Sequence, residues 1–225
     1  MSGTVLADNS AETVPDTFLS PAIVARAAPF AAFILLLAAF PQWPLLRGAA
    51  AAVLLAVFWR RYGELRGARL TARELGLGIG VGVVVFVAWI LLDHDWFTFG
   101  EPRDGFDPTR GGAFDWPGAI GRFLVLAAVV PVMEELFWRS FLMRWIDARD
   151  FLNWDARRVS RTAFALSSAL FATEHSLWLG GLVAGAAYGW VYTRTNNLWA
   201  PVVAHTVTNA ILGIWILATG SWHLW

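Results

Sequence analysis

The chain has no cysteine and no lysine among its 225 residues. Without cysteine there is no disulfide, no thiol nucleophile and no Cys-ligated zinc. Charge is scarce: Asp, Glu, Lys and Arg make up 15% of the sequence, against about 25% in soluble proteins. All 17 basic residues are Arg, and 17 acidic residues balance them to a formal net charge of zero. That balance offers no electrostatic case for a nucleic-acid partner, and none is expected. Residues 1–20 hold no basic segment ahead of a short apolar core. They read as a polar tail, and no cleavable signal peptide is expected.

What remains is apolar. Hydrophobic residues make up 57% of the chain, and the mean hydropathy is +0.54. That composition belongs to an integral membrane protein, with the lipid bilayer as a partner. Runs at 21–40, 45–59, 75–92, 117–145, 162–175, 179–193 and 198–219 predict an all-α, polytopic bundle of about seven transmembrane helices. Residues 21–225 read as a single transmembrane domain, with a catalytic core at 117–219. Arg60, Arg61, Arg66, Arg69 and Arg73 crowd one loop, and Arg149, Arg157, Arg158 and Arg161 another. The loop at 93–116 carries six acidic residues and two arginines. The positive-inside rule then places both basic loops and the N-terminus in the cytoplasm, and loop 93–116 outside. Trp43, Trp59, Trp96, Trp116, Trp145, Trp178, Trp199 and Trp222 fall near expected helix ends, as an interfacial belt would.

Few ionisable groups interrupt the later spans. A charge at the centre of a bilayer costs about 2.5–3.5 kcal/mol on insertion scales. Glu134, Glu135 and Arg139 therefore need partners or a function. Glu135 and Arg139 are four residues apart and share a helix face, so an ion pair is expected. Glu134 lies about 100° further round the helix and is left to point elsewhere. His175 and Phe171 are four apart in the next span, as are His205 and Asn209 in the last. Alone, each has an ordinary structural explanation as a helix–helix contact. Ser167, Ser168 and Ser176 read as packing residues, because no Gly-x-Ser-x-Gly elbow accompanies them. His94 and His223 read as solvated loop residues. Glu174, beside His175, points elsewhere on its helix. One carboxylate, two imidazoles and an amide on three helices nevertheless form a complete hydrolytic set. A carboxylate shielded from water can act as general base and acid. An imidazole beside it can hold the water. A second imidazole and an amide can stabilise an oxyanion.

Glu-Glu-x-x-x-Arg at 134–139, Phe-x-x-x-His at 171–175 and His-x-x-x-Asn at 205–209 resemble the three motifs of the CAAX protease and bacteriocin-processing family of intramembrane glutamic endopeptidases. The similarity is closer still to the CAAX prenyl protease-related proteins of exosortase-containing bacteria, and it extends over most of the chain from about Pro29. The resemblance implies an intramembrane endopeptidase of the bacterial inner membrane, acting on a membrane-associated peptide or protein near the bilayer surface. It implies that Glu134 activates water with the help of His175, and that His205 and Asn209 form the oxyanion site. Glu135, Arg139 and Phe171 are supporting residues. No cofactor is expected, since no His-Glu-x-x-His is present. The alternative is a zinc enzyme with Glu134, His175 and His205 as ligands. A non-catalytic peptide-binding, lipid-binding or immunity module would use the same cavity. A bis-His haem protein would leave Glu134 unexplained. The four residues are expected to line one cavity that opens towards the cytoplasmic, arginine-rich side. His175 conflicts with that opening, because it falls at the opposite end of its span. Either a helix boundary is misplaced or that helix is short and stops within the membrane.

Overall fold

The computed structural model describes residues 20–100 and 105–225. Residues 1–19, nearly all of the expected polar tail and the stretch read for a signal peptide, lie outside them, as do 101–104 of the long loop. Helix α1 spans Pro21–Ala39, α2 Pro44–Phe58, α3 Gly63–Arg66 and α4 Ala72–Leu91. Helix α5 is continuous over residues 116–147. Helices α6 (Arg161–Ala172), α7 (Trp178–Thr195) and α8 (Trp199–Thr219) complete the bundle. A two-residue antiparallel ladder, β1 (Thr109–Arg110) with β2 (Ala113–Phe114), lies in the loop before α5. The fold is an all-α membrane bundle.

The chain runs up and down between two ends. The arginine-rich end holds the start of α1, residues 59–71 and 148–160, and the α7–α8 turn. The other end, here the loop end, holds residues 92–115, the α6–α7 turn and the C-terminus. Both ends are tied across. At the loop end Phe99 N donates to Ser176 O over 2.7 Å, and His223 pairs with Asp93 at 2.9 Å rather than standing free in solvent. At the arginine-rich end Arg26 of α1 pairs with Glu64 of α3 at 2.6 Å, and Ser140 Oγ of α5 donates to the same carboxylate. Arg144 Nη2 donates to Ser140 Oγ over 2.9 Å. Burial pushes the Glu64 carboxyl up, but Arg26 and the Ser140 hydroxyl outweigh it and hold Glu64 below the usual carboxylate range.

Among the described residues three helices are by themselves long and apolar enough to cross a membrane: α1, α4 and α8. Their outward faces show large apolar side chains such as Leu35, Val84 and Leu91, the surface a bilayer covers. The expectation of about seven equal spans needs refinement. Helix α6 has 12 residues, about 18 Å at 1.5 Å per residue, well short of the roughly 30 Å hydrocarbon core. It ends at Ala172, so His175 sits in a turn and not on the helix expected over 162–175. Trp43, Trp59, Trp96 and Trp116 are exposed near helix ends. Trp199 instead turns inward, its Nε1 donating to Leu65 O over 2.8 Å.

Helix α8 packs most closely on α4, and glycine makes that possible. A Cβ on Gly78 would come within 2.8 Å of Ala200 O, and one on Gly82 within 2.5 Å of Ala204 O. Thr208 Oγ1 lies 2.9 Å from Gly82 O across this seam. Small residues and interhelical hydroxyl bonds are how helices associate where lipid supplies no hydrophobic drive. Helix α5 is unusual in another way. It is π-helical at Val125–Val129 and again at Leu136–Met143, flanking the short α-helical stretch Val130–Glu135. Pro131 accounts for the first. In the widened turn Val130 N–H bonds Val125 O, so Leu126 O is left facing the nitrogen of Pro131, which carries no hydrogen.

Candidate active site

That freed carbonyl is the first element of the site. Asn209 Nδ2 of α8 donates to Leu126 O over 2.8 Å. A buried carbonyl must find a donor, and the bond fixes the amide on the α5 side of α8. The side-chain amide has two N–H groups, so one remains available.

Nine residues further along α5, Glu135 is fully buried and its Oε1 faces two partners. Arg139 Nη1 lies 3.2 Å away and His205 Nδ1 lies 3.1 Å away. The i,i+4 pair expected between Glu135 and Arg139 is present. The bond from Glu135 to His205 is an addition that spacing along one helix cannot reveal. Arg139 also donates to Gly185 O over 3.2 Å, and its guanidinium lies 4.4 Å from the centre of the Phe171 ring. Phe171 in turn contacts His175 at 4.8 Å and His205 at 6.2 Å between ring centres. It is thus the packing surface shared by the buried cation and both imidazoles.

His175 is positioned by its own turn. Its Nδ1 lies 3.1 Å from Phe171 O. A carbonyl only accepts, so Nδ1 carries the hydrogen and Nε2 keeps its lone pair. The Glu135 carboxylate imposes the same choice on His205, whose Nδ1 must donate to it.

Glu134 faces the other way. Its carboxylate, both imidazoles, Asn209 and Phe171 line one cavity of about 200 Å³. Glu134 Oε2 is buried with no hydrogen-bond partner among the described residues. An orphaned carboxylate oxygen inside a polar-lined cavity is costly unless it serves a purpose. The expectation that the four residues converge on one cavity is met in geometry. The expected opening is not. Trp89, Arg122, Phe123, Ile216 and Trp225 carry the lining towards the loop end, away from the arginine-rich end. The reason is the short α6, whose turn brings His175 into the bundle from the loop end and resolves the conflict noted for it.

Several neighbours were not singled out by sequence. Tyr188 stacks on His205, with ring centres 4.8 Å apart and planes 20° apart. It is the one large side chain among the small residues Gly181, Ala184, Gly185 and Gly189 of α7, a contrast that could have marked it. Trp138 Nε1 donates to Glu174 Oε2 over 3.1 Å, which holds Glu174 against α5. Ser168 Oγ bonds its own helix at Phe164 O over 2.8 Å, as a packing residue does. The zinc alternative requires Glu134, His175 and His205 as ligands. Among the described residues no three His, Cys, Asp or Glu side chains are gathered closely enough to hold a metal ion. These residues do not fit a zinc centre, and no step below runs through one.

Comparison with known proteins places the region. Residues 116–211, which contain every residue of this cavity named in the motifs, match the family model described as type II CAAX prenyl endopeptidase Rce1-like. The chain is 30% identical over 93 residues to the UPF0177 protein YxdF of Lactococcus lactis subsp. lactis (strain IL1403), a match covering 40% of this chain and 46% of that protein. The chain thus spans about half the length of the curated relative it matches. No solved structure matches.

Proposed function

Because residues 116–211 match the family model described as type II CAAX prenyl endopeptidase Rce1-like, we propose that the chain is an intramembrane endopeptidase that hydrolyses a peptide bond with a water activated by Glu134. The observation that carries this is the orphaned Glu134 oxygen in a cavity shared with His175, His205 and Asn209.

The chemistry follows from the hydrogen-bond pattern. Glu134 takes a proton from a water that His175 Nε2 holds by its lone pair. The oxygen attacks the peptide carbonyl, and negative charge develops on the carbonyl oxygen. His205 and the second N–H of Asn209 receive that charge. His205 can donate from Nε2 only as an imidazolium, since Nδ1–H is already committed to Glu135. Glu135 is the counter-ion for that state, and Arg139 lies 3.2 Å from the same carboxylate oxygen. Glu134 then delivers its proton to the leaving nitrogen as the C–N bond breaks.

The test uses the purified chain in liposomes with candidate membrane peptides. Glu134→Gln is expected to lower cleavage by about 10²- to 10⁴-fold, the range for a general base, while its melting temperature holds. Cleavage at the wild-type rate by Glu134→Gln would sink the assignment. Full rescue of a cellular phenotype by that variant would favour a binding or immunity module.

A further inference from the structure

The proposed chemistry uses one end of the cavity and leaves Arg122 at the other, with Arg47 on the neighbouring helix, unexplained. Arg122 of α5 lines the cavity towards the loop end. Its Nε is buried without a hydrogen-bond partner among the described residues. Arg47, in the first turn of α2, is 8% exposed, and its Nη1 is likewise unpartnered among them. Their helices are in contact here: a Cβ on Gly121 of α5 would come within 2.9 Å of the Leu45 side chain of α2. No ion pair found among the described residues includes either. Two acidic side chains of the loop end have other partners: Asp115 Oδ1 caps the start of α5 by accepting from Gly118 N, and Asp107 Oδ1 accepts from Thr109 N. The guanidinium groups are instead faced by rings, Arg47 by Phe33 at 5.4 Å and Arg122 by Phe106 at 5.0 Å and Trp225 at 5.8 Å.

Two like charges buried side by side are tolerated when a third, opposite charge joins them. Arginine forks match the planar, two-oxygen geometry of a carboxylate. We propose that Arg47 and Arg122 form a subsite for a carboxylate carried by the peptide that enters the cavity; this rests on the reading that the occupant is a peptide. The aromatic cover argues for a threaded chain over a lipid headgroup, because a phospholipid would have to bring two acyl chains between the helices. Arg122 and Glu134 are twelve positions apart on α5, about 18 Å along the axis. About five or six extended residues span that distance, and the arginine side chains shorten it. The carboxylate therefore belongs about three to six residues from the bond presented to Glu134. Either a free chain end or an Asp or Glu side chain could supply it.

The experiment reads binding, not turnover. Full-length protein in phosphatidylcholine nanodiscs is titrated with labelled apolar peptides of about a dozen residues. The peptides are matched in pairs: Glu against Gln at each position, and free against amidated C-terminus. A carboxylate at the right distance is expected to tighten binding about tenfold. The preference should fall to about twofold or less in Arg122→Gln and Arg47→Gln, and survive in part in Arg122→Lys. Which pair shows it, acidic side chain or chain end, identifies the source. Equal affinity of every pair for the wild-type protein overturns the proposal, and so does an unchanged preference in folded Gln variants. Loss of the preference in phosphatidylglycerol nanodiscs also overturns it, by assigning the arginines to lipid phosphate. If the Gln variants do not fold, the wild-type pairs and Arg122→Lys decide the matter. Peptides bound with a carboxylate preference but never cut would overturn the protease reading and leave this subsite standing.

Discussion

Glu134 and Glu135 are adjacent in sequence and opposite in circumstance. Glu135 is fully buried and outside the cavity lining, and its Oε1 lies within ion-pair distance of both Arg139 and His205, although its Oε2, like that of Glu134, has no hydrogen-bond partner among the described residues. Glu135→Gln should therefore do two things. Removing one member of a buried ionic set costs about 3–5 kcal/mol, visible as a lower melting temperature in detergent. It also removes the anion that lets His205 act as an imidazolium, so kcat should fall even at temperatures where the variant stays folded. A variant that melts early yet retains full kcat when folded would confine Glu135 to a structural part. The motifs made this division partly legible, because i,i+4 spacing announces a pair on one helix. Contacts between helices were not legible. Nothing in the text of the chain places His205 beside Glu135, 70 residues away, or assigns one Asn209 hydrogen to a carbonyl that Pro131 strands. Arg47 and Arg122 were hidden for a related reason. Each is a lone charge in an apolar run, and only the fold puts them together.

At the scale of elements, α4 and α8 are held in contact by the absence of side chains. Gly82→Leu would set a branched group where even a Cβ meets Ala204 O at 2.5 Å. Overpacking of this kind costs about 1–3 kcal/mol, and the effect should reach the site because Ala204 precedes His205. Gly80→Leu is the control, since a Cβ there meets nothing within 4 Å. Melting curves that coincide for the two variants would contradict the close-packed seam. Helix existence was readable throughout from apolar runs, and all seven expected spans have a helical counterpart. Helix character was not. The first π-helical turn of α5 depends on where Pro131 falls relative to the Asn209 that compensates it. The early end of α6 depends on the turn at 173–177, which pairs with residues 98–99 of the loop. No Gly or Pro follows Ala172 until Gly180, so no stop signal marks the boundary.

At the scale of the whole molecule, the arginine-rich end is fastened by Glu64, which joins α1, α3 and α5 through Arg26, Ser140 and Arg144. The folded carboxyl titrates below its ordinary value of 4.5. Its contribution is therefore complete above that value and is lost as pH falls through the lower, folded one. Thermal stability should hold from pH 8 down to about 5 on this account, and decline below about 4.5. Glu64→Gln should be less stable at neutral pH and show a shallower acid decline; an acid decline as steep as wild type would place the sensitive group elsewhere. The loop end is built differently, from backbone pairing and stacked aromatic rings, and the 12-residue α6 reaches up to it. A bilayer beside a helix of about 18 Å must thin or admit headgroups, at a fraction of a kcal/mol per Å of mismatch. The boundary between oil and water is thereby drawn inward next to His175. On the proposed reading, water then reaches the cavity over a shorter apolar path, and a peptide bond would be met below the mean plane of the lipid surface without being lifted clear of it.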